Sequence, residues 1–569
     1  MRLGRAHLMV VVLVVGLVSA TRTAAFGPFP GSASAVSQCG AGDSDGRILV
    51  WHTLSGAAVA SVMTEFIADY EASHLATIEL RLFTSEEEMV TELMRSREKL
   101  PDLVLASERV ARRLSDLALF VRPDQCDPSA GSDLLPLIRS TFSINEELTS
   151  IPIGVSTQVL MFDAAEFRLA GLDPSAPPRN VPELMAASAR IRQSGASSHG
   201  LVMADWCADL ALAQFTARRL ELQALPANGH RGALPTFDLT SPESIADLEQ
   251  LRAGIEAGHV LFIAENMSGI DDLLHIVPPQ DDATMAIHTS GALGDVIEQL
   301  EAGSYPGVEL GVGPLPAAGT GALVGGNSIW ILDGEERDVS RAWEFVKWLG
   351  QAEQRGKLSA RTGYVPATEA AVRVPLLQKA WKEHPQLKVA YDQVVASPVD
   401  DATSGLVLGP VFERDSVLFA GCSRMMRGES AVDKELRVMS ELLNRLVAQY
   451  EGVSFVPQST APALSLDLTV ECLSGAEVVG VWVDGVDSSS SWAERSGPPA
   501  SPRVRFILDH GGAYKLSVGC GGTPQSWRVS LSSGYETDPR ARFVCDDTAS
   551  NRPACVSAAG GGPIPPAEG

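Results

Sequence analysis

The sequence predicts an α/β fold over most of the chain, followed by a small all-β domain near the C-terminus. Between residues 47 and 455, short apolar strands alternate with amphipathic helices, which is typical of a parallel sheet covered by helices. From about residue 460, β-rich runs separated by Gly, Ser, Asp and Pro replace the helices, which is typical of a small antiparallel sandwich or barrel. A chain of 569 residues is also too long for one hydrophobic core and predicts two to four domains.

The alternation is clearest where the α/β region begins. Arg47–His52 forms a short apolar strand, and the next segment repeats apolar residues at helical spacing from Val59 to Tyr70. Thr77–Phe83 and Pro101–Ala106 supply two further strands. Between them, Ser85 stands in front of three glutamates, which is the pattern of a capped helix start.

The remaining elements follow from the same patterns. Further strands are predicted at Gln158–Phe162, Val308–Val312 and Ser328–Leu332. Further helices are predicted near Arg109–Leu119, Asp163–Ala170, Val181–Gln193, Ser241–Ala257, Gly291–Ala302, Val339–Leu349, Pro375–Trp381 and Asp433–Tyr450. In the C-terminal domain, strands are predicted at Leu464–Glu471, Val478–Val483, Val504–Leu508, Tyr514–Gly519 and Trp527–Leu531, and residues 559–569 are predicted to be disordered.

The N-terminus predicts export. Two arginines precede the apolar run Leu8–Val18, and Val18-Ser19-Ala20 offers small residues for cleavage, so residues 1–20 resemble a signal peptide. The alternative is an uncleaved anchor, although the run is shorter than the roughly 20 residues that cross a bilayer. Gln38 in front of Cys39 is too large for a lipobox. We therefore expect an extracellular or cell-envelope protein without a clear lipid anchor, in which residues 21–46 form a flexible lead-in.

Net charge and cysteine content limit which partners and which kind of cysteine site the protein is expected to have. The net charge of −25 disfavours binding to nucleic acid and to anionic membrane surfaces. Eight cysteines form no C-x-x-C pair and have no histidines at zinc spacing, so disulfides are expected rather than a metal site.

Catalytic motifs are not evident in the sequence. Gly42–Gly46 matches the G-x-S-x-G pattern but precedes the first strand, whereas that motif needs a strand before it and a helix after it. We find no H-E-x-x-H, no Walker loop and no G-x-G-x-x-G. The sequence predicts no cofactor and no enzyme activity.

A series of segments, taken in order, resembles the extracellular solute-binding proteins of ABC importers, in particular the group that binds carbohydrates and glycerol 3-phosphate. The first is the strand–helix junction Ile48–Gly56, which contains Trp51-His52 and Ser55-Gly56. The others are Val159–Asp163 with Phe167, Ala170–Pro174 with Pro177-Pro178, Met285–Ile287 with Ser290-Gly291, Gly313–Pro316, Gly325–Trp330 and Thr362–Pro366.

The resemblance implies two α/β lobes joined by a hinge, with the ligand in the cleft between them. It places the bilobal domain at 47–455, with lobe 1 at about 47–155 and 288–332 and lobe 2 at about 156–287 and 333–455. Hinges near Pro152–Thr157 and Ile287–Ser290 are expected to close the lobes around the ligand. The resemblance ends at about residue 455, before the β domain at 460–558.

Ligand-binding positions follow from matching the family's segments, because a polyol needs aromatic faces, hydroxyls and amides. The matching residues are Thr53, Ser55, Glu86, Ser156, Thr157, Trp206, Ser290, Gly326, Asn327 and Tyr364. In the glycerol-phosphate binders an arginine that meets the phosphate follows a glycine, and here Arg414 follows Gly409 in a slightly different register. A phosphorylated polyol and a neutral sugar therefore both remain open.

The leading hypothesis is an exported, monomeric binding protein that captures a sugar, polyol or glycerophosphate-type ligand and delivers it to an ABC permease. The alternative is an exported adhesion or sensor protein that uses the bilobal fold and the β-rich tail for recognition without transport. Disulfides inside each lobe would leave the hinge free to move. We therefore predict the pairs 39–126, 207–422, 472–520 and 545–555.

Overall fold

The computed structural model divides the chain into two compact units, Met1–Phe455 and Val456–Gly569. Described in the first unit are Cys39 and residues 46–54, 56–95, 100–117, 119–204, 227–230, 236–263, 271–278, 280, 282–316, 323–334, 336–401 and 403–450. Described in the second are 464–472, 478–483, 486–487, 494–496, 503–508, 512–520, 523–531, 540–545 and 555–557. The predicted signal peptide, the predicted disordered tail and most of the predicted lead-in lie outside the described residues.

The elements of the first unit have the following bounds. Its strands are β1 (Gly46–His52), β2 (Ala76–Leu82), β3 (Leu103–Ser107), β4 (Phe120–Val121), β5 (Ser143–Ile144), β6 (Glu147–Leu148), β7 (Ile151–Asp163), β8 (His199–Ala204), β9 (Val260–Ile263), β10 (Ala283–Thr289), β11 (Leu310–Pro314) and β12 (Val324–Leu332). Its helices are α1 (Ala57–Ser73), α2 (Glu86–Arg95), α3 (Ala111–Asp116), α4 (Pro123–Cys126), α5 (Pro136–Thr141), α6 (Ala164–Leu169), α7 (Val181–Ser194), α8 (Pro242–Glu256), α9 (Leu293–Glu301), α10 (Glu336–Leu349), α11 (Ala352–Thr362), α12 (Glu369–Val372), α13 (Pro375–Glu383), α14 (Val389–Ala396), α15 (Val411–Met426) and α16 (Val432–Gln449). Short 3-10 turns lie at Glu108–Val110, Ala227–Gly229, Asp271–Ile276, Ser290–Ala292 and Pro385–Lys388.

Strand β7 runs through both lobes of the first unit. Its residues up to Thr157 pair with β12, and its residues from Gln158 onward pair with β10 and β11. The strand order is therefore β2-β1-β3-β12-β7-β10-β8-β9, with β4 beside β12 and β11 beside β7. The first lobe is built on β1–β3 and β12, the second on β8–β11, and the two-lobed α/β fold predicted from the sequence is confirmed.

The sheet is mixed, whereas the alternation of strands and helices predicted a parallel one. β1 pairs in parallel with β2 and β3, and β8 pairs in parallel with β9 and β10. β7 and β12 run antiparallel to each other, and β12 also runs antiparallel to β3. β7 also runs antiparallel to β10 and β11, so the antiparallel pairs lie where the two lobes join.

The first-lobe core forms because α1 turns an apolar stripe towards β1. Val59, Val62, Phe66 and Tyr70 of α1 are buried, as their spacing predicted, while Ile67 is only half-buried. The ring of Tyr70 lies 4.8 Å from that of Phe345 in α10, centre to centre.

Helices α10 to α13 pack with the first lobe. Trp343, Phe345, Leu358 and Leu377 belong to the same buried cluster as Ile48 of β1. The sequence predicted that 333–455 belong to the second lobe and 288–332 to the first. In the structure, α10 to α13 lie with the first lobe and β11 lies with the second. The aromatic face of α10 is buried against α1, and β11 pairs with the second-lobe half of β7.

The second lobe packs α7, α8, α15 and α16 around its own half of the sheet. Leu184 of α7, Leu251 of α8 and Leu436 of α16 are fully buried together with Leu160 and Met285 of the strands. β7 contributes one half of its length to each lobe, so the chain passes from one lobe to the other at Thr157 and Gln158.

A disulfide joins Cys39 to Cys126 in α4, with the Cα atoms 4.9 Å apart. This predicted pair is confirmed. Cys422 and Cys472 are also disulfide-bonded. Cys207, the predicted partner of Cys422, lies outside the described residues, so that pair and the two pairs in the tail stay predictions.

The described residues of the second unit lie in strands. These are β13 (Leu464–Cys472), β14 (Val478–Val483), β15 (Val486–Asp487), β16 (Glu494–Ser496), β17 (Arg503–Leu508), β18 (Gly512–Cys520), β19 (Thr523–Leu531), β20 (Arg540–Cys545) and β21 (Cys555–Ser557). One sheet has the order β16-β17-β13-β20-β21 and the other β15-β14-β18-β19. Across the described parts of the chain, no helix is long and apolar enough to span a bilayer.

Candidate functional site

The candidate site lies at the carboxyl ends of β1 and β3, where they meet the first half of β12. In open α/β sheets, ligands bind at the carboxyl ends of the strands. β12 pairs Asn327 with Ser107 at the end of β3, and it pairs Gly326 with Val155 of β7. Residues that are far apart in sequence therefore meet at this edge.

Tyr364 stands against the segments that join the lobes. It follows Gly363, whose left-handed backbone (φ 83°) ends α11. Its ring lies between Gly154 and Gly291, where added Cβ atoms would come within 2.8 and 2.5 Å of ring carbons. The hydroxyl bonds with the side chain of Asn327, and burial raises the pKa of the Tyr364 phenol to about 12. The hydroxyl therefore keeps its proton at any physiological pH.

Gly326 allows β12 to approach β7 closely. It has φ +123°, and a Cβ atom there would lie 2.0 Å from the carbonyl oxygen of Gly154. A side chain at this position is excluded by both backbone conformation and space. The amide of Gly326 donates to Oε2 of Glu108 at 2.7 Å.

Glu108 is a site residue that the sequence analysis missed. It lies directly after β3, is half-buried, and has Oε1 2.7 Å from where a Cβ of Gly325 would be. Burial raises the pKa of the Glu108 carboxyl to about 7, against the opposing effects of the Gly326 amide and the Arg109 charge. The sequence signal that could have found it is an acid placed immediately after a buried strand.

Glu86 lies close to Glu108 at the start of α2. Its Oε1 accepts the amide hydrogen of Ser107 at 2.5 Å, and its Oε2 accepts the Ser107 hydroxyl at 2.8 Å. The charge of Glu86 contributes to the raised pKa of Glu108. Both carboxylate oxygens of Glu86 are therefore used to hold the end of β3.

A third carboxylate occupies the start of α1. Asp295 of α9 accepts the amide hydrogen of Ala58 at 2.8 Å, and α1 has no cap from its own Gly56. Asp295 also contributes to the raised pKa of Tyr364. Thr53 lies just before this helix and is half-buried.

Thr157 and Ser290 lie where β7 passes from one lobe to the other. Both are buried, and the Thr157 amide donates to the Ser290 hydroxyl at 3.4 Å. The Thr157 hydroxyl donates to the carbonyl of Leu323 at 2.8 Å and accepts from Gln393 at 3.0 Å. Ser156, one residue earlier in β7, is half-buried opposite Gly325.

Arg414 is already paired. Its Nε donates to Oδ1 of Asp415 at 2.8 Å, and the side chain is 11% exposed. Arg109 of the first lobe also bonds Asp415, through Oδ2. Ser55 and Trp206, the other predicted site residues, lie outside the described residues.

The site thus brings together Glu86, Gly326, Asn327 and Tyr364 of the predicted set. Comparison with known proteins identifies the class. Residues 65–389 match the family described as bacterial extracellular solute-binding protein. The chain belongs to this family.

Relatives of this solute-binding protein include periplasmic proteins named UgpB that bind sn-glycerol 3-phosphate. The protein from Shigella flexneri is 24% identical over 329 residues, which is 56% of this chain and 72% of the relative. The protein from Yersinia pseudotuberculosis is 26% identical over 316 residues, which is 54% of this chain and 69% of the relative.

Solved structures show the same fold. UgpB from Mycobacterium tuberculosis, in complex with glycerophosphocholine, has a TM-score of 0.59 at 18% identity and covers 71% of this chain and 99% of its own. The GacH receptor of Streptomyces glaucescens, described in complex with acarbose, has a TM-score of 0.58 at 17% identity, covering 72% and 100%.

Family membership settles the class of function. Extracellular solute-binding proteins of ABC importers bind a small molecule outside the cytoplasm and pass it to a permease, and they are not enzymes. The transport hypothesis is therefore favoured over adhesion or sensing. Within the described residues, no group of three or more His, Cys, Asp or Glu side chains is arranged to hold a metal ion.

Proposed function

We propose that this solute-binding protein captures an uncharged sugar or polyol between its two lobes and delivers it to an ABC permease. The observation that carries the choice of ligand is the charge at the candidate site. Glu86, Glu108 and Asp295 are all acidic, and each already accepts a hydrogen bond from a backbone amide. These carboxylates would repel a phosphate placed among them, and the contribution of Glu108 grows as the pH rises through about 7.

Two groups of the kind that commonly bind anions already have carboxylate partners within the protein. Backbone amides at the start of a helix commonly bind phosphate, but in α1 the amide of Ala58 is bonded to Asp295. Arg414, the position matched to the phosphate-binding arginine, is paired with Asp415. Both features favour a neutral ligand over a phosphorylated one.

The groups that remain suit a polyol. Asn327, Ser156 and Thr53 offer amide and hydroxyl groups and are half-buried, and Tyr364 offers part of an aromatic ring. Sugars are held by hydrogen bonds to such groups and by stacking on rings. We extend the ligand-binding assignment to Ser55 and Trp206 by the family resemblance alone.

A glycerophosphate ligand is the second candidate, because relatives bind sn-glycerol 3-phosphate and glycerophosphocholine. In either case we propose an exported, monomeric protein whose partners are the ligand and the permease subunits. The net charge of −25 supports the absence of nucleic acid among its partners.

Thermal unfolding of the full chain with defined probes tests the proposal. We expect maltose or acarbose to raise the melting temperature in a dose-dependent manner, since a ligand that binds only the folded form stabilises it by about 2.7 kcal/mol at a hundred times Kd. Glycerol 3-phosphate and glycerophosphocholine should have no such effect. A shift with the two phosphate compounds alone would establish the second candidate instead, and no shift with any of a panel of neutral sugars and polyols would overturn the proposal.

A further inference from the structure

Within the described part of the chain, Arg355 of α11 is a buried cation without an ion pair. It lies on the buried side of the helix, and only 6% of its surface is exposed. Its Nε and Nη1 atoms are enclosed and have no hydrogen-bond partner among the described residues. Burying a guanidinium in this state is costly, because it gives up its contacts with water. An anion bound beside Arg355 would remove much of this cost.

The guanidinium of Arg355 lies at the corner where α10 ends and α11 begins. A Cβ atom at Gly350, in this corner, would lie 3.5 Å from Nη2 of Arg355. The same Cβ atom would lie 3.3 and 3.4 Å from the carbonyl oxygens of Val346 and Lys347, which belong to the last turn of α10. The carbonyl end of a helix carries a partial negative charge, so α10 favours a cation here. It does not supply a full counter-charge.

The start of α11 adds hydrogen-bond donors to the same corner. Its N-cap residue, Gln351, makes no side-chain hydrogen bond to the first amides of the helix. Amides at a helix start attract anions, because they point out of the helix and carry its partial positive charge. Helical side chains lean towards the N-terminus, which brings the Arg355 guanidinium back to this start. Two independent groups therefore favour negative charge at one place.

Negative side chains near the corner limit the kind of anion that can bind. Burial lowers the pKa of the Arg355 guanidinium, and the charge of Asp133 opposes this effect. Asp133 is exposed, and so is Glu353 in the first turn of α11. Lys347 already has a partner, with its Nζ 2.6 Å from Oε1 of Glu344. The two exposed carboxylates would repel a divalent oxyanion about twice as strongly as a monovalent ion.

The guanidinium can contact an ion from outside through one nitrogen. Because Nε and Nη1 of Arg355 are enclosed, Nη2, the nitrogen next to Gly350, is the one left to make contact. Carboxylates and phosphates commonly bind two nitrogens of an arginine at once, which this arrangement does not offer. A spherical ion needs no such pair of nitrogens and can also accept hydrogen bonds from the amides of α11.

We propose that the corner between α10 and α11 binds one chloride ion, held by Nη2 of Arg355 and by the first backbone amides of α11. The arginine provides a full positive charge, and the helix start provides hydrogen-bond donors. This site is separate from the candidate solute site. Tyr364 lies beyond the other end of α11, and the 11 residues of that helix extend about 16 Å.

Chlorine-35 NMR of the full chain tests the site, because chloride ions that exchange between a protein and water give a broadened line. We expect the wild-type chain to broaden the chloride line and Arg355→Gln to lose most of that broadening. Arg361→Gln is the matched control, since it removes the same charge from the same helix at a residue that is paired with Glu65. It should keep the broadening. Equal broadening by the wild-type and Arg355→Gln chains, or none by the wild-type chain, would overturn the proposal.

Gly350 allows a second test that leaves Arg355 in place. Gly350→Asp puts a carboxylate within reach of Nη2, so it should replace the chloride and abolish the broadening, whereas Gly350→Asn, of nearly the same shape, should keep it. In chloride-free gluconate buffer, Gly350→Asp should melt about 2 °C above Gly350→Asn. Broadening retained by Gly350→Asp would contradict the site. Melting curves show which variants are folded, and if Arg355→Gln does not fold, the two Gly350 variants decide.

Discussion

At the scale of the single residue, Glu108 is the group whose chemistry depends most on the fold. It lies beside Gly326, from which it is separated by 218 positions in sequence, and accepts that residue's amide hydrogen. Burial at the edge of the cleft raises the pKa of its carboxyl to about 7. A glutamate in the unfolded chain titrates near 4.5, so the folded form binds the proton more tightly.

This difference makes stability depend on pH. A carboxyl whose folded pKa is raised contributes stability that is fully present below about pH 4.5 and is lost as pH rises through about 7. We expect the melting temperature of the wild-type chain to fall between pH 5 and pH 8 more steeply than that of Glu108→Gln. Differential scanning calorimetry of the two chains measures this, and identical slopes would contradict the raised pKa.

Glu108 also shows which residues of the candidate site can be predicted from the sequence and which cannot. Tyr364, Asn327 and Gly326 were found because they sit in segments that resemble the family's. Glu108 was missed because its role depends on the amide of Gly326, a tertiary neighbour that no local pattern reveals. Arg414 was predicted to contact the ligand because of its position after Gly409. Its ion pair with Asp415 depends on the orientation of the two side chains, which the sequence does not reveal.

At the scale of the element, α1 has no capping side chain of its own at Gly56, and a side chain of α9 caps it instead. Oδ1 of Asp295 accepts from the amide of Ala58, and Asp295 also stands in the first turn of its own helix. A carboxylate near a helix N-terminus is favourable because of the unpaired amides there and the helix dipole. One side chain therefore stabilises the starts of two helices.

Asp295→Ala should loosen the start of α1. Loss of a capping carboxylate costs about 1 kcal/mol, so the amides near Ala58 should exchange with deuterium several times faster. Hydrogen exchange followed by mass spectrometry of peptides covering α1 measures this. Glu298→Ala, at an exposed position of the same α9, is the control and should leave those peptides unchanged; equal acceleration in both variants would contradict the capping role.

Periodicity predicted many of the elements but not their pairing. α1 and α16 match their predicted ranges closely, because each carries an apolar stripe at helical spacing. β7 was predicted as Gln158–Phe162, whereas it spans Ile151–Asp163. Its first half pairs with β12, more than 160 residues away, and such a long-range partner leaves no local signal.

At the scale of the whole molecule, the positions of the disulfides decide whether the hinge can work. Cys39 and Cys126 are joined within the first lobe. Cys422 is disulfide-bonded and is fully buried in the second-lobe core. A bridge between cysteines of different lobes would hold the cleft at one width and prevent solute entry and release.

We therefore expect each remaining bridge to lie within one lobe or within the C-terminal unit. The expected pairs are Cys207–Cys422, Cys472–Cys520 and Cys545–Cys555. Backbone register places Cys545 opposite Cys555 on antiparallel β20 and β21, as the last pair requires, and it also aligns Cys545 with Cys472 on parallel β13 and β20. Cys472 and Cys520 lie in different sheets of the C-terminal unit, so their bridge would tie the two sheets together. Peptide mapping without reduction tests the set: a linked peptide joining Cys39 or Cys126 to Cys422 would contradict both the pairing and a freely moving hinge.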